Sequence, residues 1–304
     1  MVIKGKCKLC DRDGELLESH IIPAFIIDHQ KRTSATGFLR SSHTINRRVQ
    51  DGTKLYMLCP SCEAMFNQWE TPFARDVYHP WCNREAIRLS YGPWMLKFAV
   101  SVSWRVLTWY MDYSADSVSY TSDAKRIISD ALRTWKRFLF DEIQHPGEYE
   151  QHMILFDTIE SATHSYDLPP NINRFLTRGT HINLAHSDRH PLFIFTKMGK
   201  IALLGFLGIK YHRQWVGTKI HLKHGQVGGN VAIPSSFGDY LLERAGVHED
   251  EYAKLSSKQK QVITKTFYGA LDRASMSETF EAMSSDVKMF GCEKVFKEKD
   301  GSEQ

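Results

Sequence analysis

A chain of 304 residues is long enough to bury a sizeable core and to divide into two domains. Its apolar content of 42% and charged content of 24% are those of a globular chain, which excludes a disordered or fibrous one. The formal net charge of +4 permits a nucleic-acid partner without requiring one.

The N-terminal stretch MVIKGKCKLC lacks the apolar core of a secretory leader. A cytoplasmic location is therefore expected, where thiols stay reduced and paired cysteines suggest a metal more than a disulfide. Cys7 and Cys10 form one CxxC knuckle, and Cys59 and Cys62 form a second. Four thiolates suit a soft, tetrahedral ion, so a structural zinc is expected on these four residues. Cys82 and Cys292 are isolated thiols.

Between the knuckles, DRDGE (11–15) carries Asp-Gly turn chemistry. A short strand is predicted at about 16–22, within LLESHII, ended by Pro23. Strand alternation sends Glu18 and His20 to one side and Ser19 to the other. Residues 31–54 hold six Lys or Arg (Lys31, Arg32, Arg40, Arg47, Arg48 and Lys54) against one acid. They read as a basic loop able to contact phosphates. QDGTKLYML gives a turn and a second strand running into the second knuckle. A helix is predicted to open at Cys62, with Glu63, Asn67 and Glu70 on one face. Two carboxylates and an amide there, with Glu18 nearby, form a candidate site for a hard cation such as Mg²⁺ or Mn²⁺.

Residues 81–163 read as helical. The most apolar run, WMLKFAVSVSWRVLTWYM (94–111), contains Lys97 and Arg105, charges costly in lipid, so it is predicted as a buried helix. The stretch 120–143 is amphipathic, with Ile127, Ile128, Ala131, Leu132, Trp135, Phe138 and Leu139 on its apolar side. A boundary is expected near 164–172. Beyond it, a small antiparallel sheet is predicted from about 173 to 232, with a hairpin turn at TKMGK, followed by helices over about 235–290. The histidines of THINLAHSDRH match no metal-ligand spacing. The fold class expected is α+β: a zinc-braced module over 1–80, then a helical and antiparallel-β domain over 81–304.

CKLC (7–10), SHIIP (19–23) and LCPSCE (58–63) together resemble the HNH, or ββα-metal, nuclease module in its four-cysteine zinc variant. The resemblance covers roughly a quarter of the chain. It implies a general base at His20, a catalytic ion ligand at Glu63 and a further one at Asn67. It also implies hydrolysis of phosphodiester bonds in DNA. Ser19 departs from the family, which carries Asp, Glu or His there as an ion ligand, and Glu63 replaces its Asn or His. Glu18 or Glu70 could compensate for Ser19.

Two function classes follow. One is a metal-dependent endonuclease, by analogy acting in bacterial defence against foreign DNA. The alternative is a degenerate module that binds nucleic acid or a protein without cutting; a third reading makes the zinc pure scaffold. The partners expected are DNA, with RNA left open, and a second copy or another protein through the C-terminal region. No membrane partner is expected.

Overall fold

A computed structural model describes residues 2–41, 44–114, 120–161, 167–187, 190–208 and 212–296. The chain forms two compact units, each assembled from three segments. The first takes Met1–Phe25, Gly52–Leu155 and Thr180–Pro234, and the second takes Ile26–Asp51, Phe156–Gly179 and Ser235–Gln304. Compactness thus groups the chain differently from a division at residue 80.

The first unit opens with strands β1 (Ile3–Lys6) and β2 (Asp13–His20), and β5 (Lys54–Leu58) pairs with the other edge of β2. All pairings are antiparallel, with a bulge between Leu17 and Glu18. The Asp-Gly pair does not make the turn: Asp13 pairs with Lys6 inside the β1–β2 ladder. The first knuckle itself reverses the chain, closed by Cys7 N–H to Arg12 O (2.9 Å) and Asp11 N–H to Cys7 O (2.9 Å). Asp11 takes the left-handed conformation, which a short polar side chain tolerates. Helix α2 (Pro60–Phe73) then opens two residues earlier than predicted, with Cys59 as its N-cap and proline at its first position, where the missing N–H costs nothing. Pro72 falls near its end, and the chain winds on through one wider turn (Ala74–Tyr78) into α3 (His79–Cys82).

The stretch predicted as wholly helical also contains two strands, β6 (Arg88–Tyr91) and β7 (Gln151–Leu155). Its two helices are α4 (Trp94–Tyr113) and α5 (Ser122–Leu139). Among the described residues no helix is long and apolar enough to cross a membrane. α4 is the core helix of the unit, and both charges in its apolar run are met by opposite charges. Lys97 donates to the C-terminal carbonyl of Phe138 in α5 and to Asp141 (2.6 Å), a favourable place for a cation. Arg105 pairs with Glu70. α5 buries Ala124, Ile128, Ala131, Trp135, Phe138 and Leu139, while Ile127, expected on that side, is exposed. At roughly 2 kcal/mol for each large side chain removed from water, this face outweighs the modest helix preference of its β-branched residues.

Strands β8 (Thr180–Ser187), β9 (His190–Met198) and β10 (Ile201–Phe206) join β7 in an antiparallel sheet of order β7-β10-β9-β8. The hairpin at TKMGK forms as predicted, with Gly199 at positive φ between β9 and β10. Every residue of β10 is buried, as its unbroken apolar sequence demands. Gly205 is required there: a Cβ would lie 2.5 Å from Ser103 Oγ of α4. β11 (Gly225–Gly228) pairs with β6.

Helix α1 (Ala24–Arg32) begins in the first unit and runs into the second. The second unit continues with the hairpin β3 (Leu39–Arg40) and β4 (Arg48–Val49), inside the segment read as a loop. It also holds α6 (Ile172–Thr177), where a strand was predicted. The buried carboxylate of Asp286 decides that difference: it accepts the Asn173 and Arg174 N–H groups (2.7 and 3.2 Å) that open the helix. The expected C-terminal helices are α7 (Ser235–Ala253), α8 (Ser257–Tyr268), α9 (Leu271–Ser275), α10 (Glu278–Phe290) and α11 (Cys292–Val295). Ser256 and Ser277 cap α8 and α10 through their hydroxyls. A polar cluster ties this unit together: Glu278 accepts from Arg178 (2.6 Å) and pairs with His29 (2.8 Å).

Candidate functional site

The two knuckles meet. The sulfurs of Cys7, Cys10, Cys59 and Cys62 all lie within 4.8 Å of one another. Zn–S bonds of about 2.3 Å in a tetrahedron put sulfurs about 3.8 Å apart, and Cys10 and Cys59 are 3.7 Å apart. The donor set is positioned to bind a metal ion and is compatible with a structural zinc. Backbone geometry supports it: Cys59 N–H points at Cys7 Sγ (3.4 Å), and Lys8 N–H bonds Met57 O (2.9 Å). Burial pushes the Cys10 and Cys62 thiols up. Burial also works against the Cys59 thiolate, but the Ser61 hydroxyl, the Cys62 amide and the neighbouring thiols outweigh it and hold Cys59 down to about 6. Salt bridges anchor the first knuckle to the helices, Lys8 to Asp112 of α4 (3.0 Å) and Asp11 to Lys136 of α5.

Beside the cysteines, β2, β5 and α2 form a strand–strand–helix unit. Ser19 is fully buried and donates its hydroxyl to Glu63 Oε2 at 2.7 Å. Glu63 is in the first turn of α2, so a carboxylate is favoured there by the helix dipole as well. Glu18 projects the other way, half-exposed, toward Lys54 at 3.7 Å. Glu70 is held by Arg105, whose Nη2 donates to its Oε1 at 2.6 Å. Arg105 Nη1 donates to the carbonyl oxygen of His20 at 3.0 Å, and the guanidinium lies 5.1 Å from the Phe66 ring centroid. Asn67 is exposed. His20, half-buried, closes β2 opposite Lys54.

The three carboxylates expected to share a cation therefore stand apart. Glu63 and Ser19 come together; Glu18 and Glu70 each serve a different cation of the protein. Among the described residues, the four cysteines form the one group of three or more His, Cys, Asp or Glu side chains gathered closely enough to hold a metal. What remains for a hard ion is Glu63, with Asn67 one turn on.

Arg105 is the residue that sequence reading missed. The signal was present: an arginine inside an apolar helical run needs a buried carboxylate and carbonyls to satisfy it. Of the six basic residues of 31–54, Lys54 lies in the first unit, and Lys31, Arg32, Arg40, Arg47 and Arg48 lie in the second.

A comparison of this chain with protein-family models, curated proteins and solved structures found no match.

Proposed function

We propose that the β2–β5–α2 unit, braced by zinc on Cys7, Cys10, Cys59 and Cys62, is an HNH-type site that hydrolyses phosphodiester bonds in DNA. The observation that carries this reading is the 2.7 Å contact between Ser19 and Glu63. The resemblance gives both positions to ligands of one ion, and the fold puts their side-chain oxygens together. His20, next in sequence to Ser19, takes the proton from the attacking water. Ser19 fixes the rotamer of Glu63, and Arg105 fixes the backbone of His20 by gripping its carbonyl. Four thiolates leave no open coordination position, so the zinc is structural. A Mg²⁺ or Mn²⁺ ion held by Glu63 and Asn67 would polarise the phosphate and stabilise the leaving oxygen.

The test is nicking of supercoiled plasmid by the purified full chain with Mg²⁺, Mn²⁺ or EDTA. Nicking that needs the metal and is lost in His20→Ala and Glu63→Ala is expected. Metal-independent nicking, or nicking that survives both substitutions, would overturn the assignment.

One observation favours a second reading, in which the module binds without cutting. Ser19 offers a neutral hydroxyl where an ion needs a charged ligand, and neither Glu18 nor Glu70 replaces it. That reading expects retention of the plasmid in EDTA, unchanged by His20→Ala, with no nicking under any condition.

A further inference from the structure

The second unit joins two basic segments that are distant in sequence. Residues 31–50 contain five Lys or Arg and no acid, and residues 252–271 contain four Lys and no acid. Specific hydrogen bonds lock them together. Asn46, in the β3–β4 hairpin, accepts from Ser256 N–H at 2.8 Å and donates to Lys254 O at 3.3 Å. Arg40 donates to Gln259 Oε1 at 2.8 Å. Farther on, Arg273 donates to Ala35 O at 3.4 Å. These contacts fix the hairpin against the start of α8 and leave Arg47, Arg48, Lys258, Lys260 and Lys265 exposed. The Arg48 guanidinium stacks 3.9 Å from the Phe38 ring centroid, which limits its freedom before any partner arrives.

We infer that the β3–β4 hairpin and α8 form one composite surface that binds the phosphate backbone of nucleic acid. Positive charge without intervening acid, spread over two locked elements, suits a polyanion better than a single small anion. Within 254–265 every exposed side chain is polar: Ser256, Ser257, Gln261 and Thr264 accompany the lysines, and the one exposed aromatic residue of α8, Tyr268, ends the helix with a hydroxyl of its own. Hydroxyls and amides of this kind donate to phosphate oxygens. A surface built to enter a membrane would instead present apolar side chains among its charges. The positions 257, 258, 261, 264 and 265 recur at helical spacing, so they make a strip along α8 rather than a ring around it. This inference rests on charge and contacts in the second unit and does not require the catalytic reading.

The test measures binding of the full-length zinc-bound protein, with no other divalent ion added, to a short fluorescein-labelled duplex DNA over a range of salt, with phosphatidylserine vesicles as the competing probe. Two double variants are compared, Arg47→Ala/Arg48→Ala in the hairpin and Lys258→Ala/Lys265→Ala in α8, each first shown to keep the wild-type melting curve. Each pair is expected to weaken DNA binding and to lower the slope of log affinity against log salt by roughly two, the mark of two lost phosphate contacts. The inference is overturned if the wild type fails to bind DNA, if it binds vesicles instead, or if the α8 pair leaves affinity and slope unchanged. Retention without nicking would sink the catalytic reading and leave this one standing; nicking without any effect of the α8 pair would do the reverse.

Discussion

Ser19 and Glu63 are 44 residues apart and meet through a 2.7 Å hydrogen bond, which ties the end of strand β2 to the first turn of α2. The contact has a testable consequence. Ser19→Asp puts a second carboxylate beside Glu63 in a buried position. With zinc bound and no other divalent ion added, the variant should lose about 2 kcal/mol of stability, the cost of an unpaired buried polar group. Mn²⁺ should then restore it by binding the folded state. The urea midpoints of variant and wild type, each with and without Mn²⁺, decide the matter. An equal response of the two proteins to Mn²⁺ would show that position 19 does not border an ion.

Arg105 is about 1% exposed and carries two charge-assisted hydrogen bonds, one to Glu70 and one to the His20 carbonyl. Arg105→Ala leaves the Glu70 carboxylate without its cation, and breaking such a buried pair costs about 3–5 kcal/mol. Arg105→Met combined with Glu70→Gln removes both charges and should cost less than Arg105→Ala alone. Chemical denaturation of the three proteins checks this order; a loss under about 1 kcal/mol for Arg105→Ala would mean the pair contributes little.

Metal removal should act locally and strongly. The β1–β2 turn is the first knuckle, so its geometry would depend on an ion held by the four thiolates. One zinc per chain is expected by elemental analysis, and its removal should deprotect amides of 3–20 and 54–63 in hydrogen exchange. Cys59→Ser should bind zinc more weakly, because a hydroxyl is a poor substitute for a thiolate. Full protection of these amides after chelation would refute a structural metal.

The Glu150–His152–Lys219 network predicts a pH dependence of stability. The His152 hydrogen bond, followed by Lys219, holds the Glu150 carboxyl down to about 2. A carboxylate whose folded value lies below its unfolded value of 4.5 stabilises the fold above that value. The contribution, at most about 3 kcal/mol because Lys219 is partly solvated, is lost as pH falls from about 4.5 through about 2. Denaturation midpoints measured from pH 6 down to the acid limit should flatten in Glu150→Gln. An identical acid slope in both proteins would remove Glu150 from the account.

Much of the fold was legible in local pattern. The paired knuckles announced a metal site because thiolate spacing is chemistry that needs no long-range information. The buried helix around Lys97 and Arg105, the amphipathic α5 and the Met198–Gly199 turn followed from periodicity and turn residues. β6 and β7 were not legible, because each is a short strand whose partner lies more than forty residues farther along the chain. The helix at 172–177 was read as a strand because the carboxylate that opens it, Asp286, is more than a hundred residues away.

The same division runs through the candidate site. Sequence by itself determined which residues are the candidates: four cysteines, a histidine after a serine, a glutamate after the last cysteine. Tertiary structure alone decided which partners the carboxylates take. It sent Glu18 to Lys54 and Glu70 to Arg105, left Glu63 with Ser19, and locked two basic segments two hundred residues apart into one surface. The reason is physical. Residue type fixes what a side chain can donate or accept, but a buried charge takes whichever opposite charge the packed backbone brings within reach, and that choice is made by contacts distant in sequence.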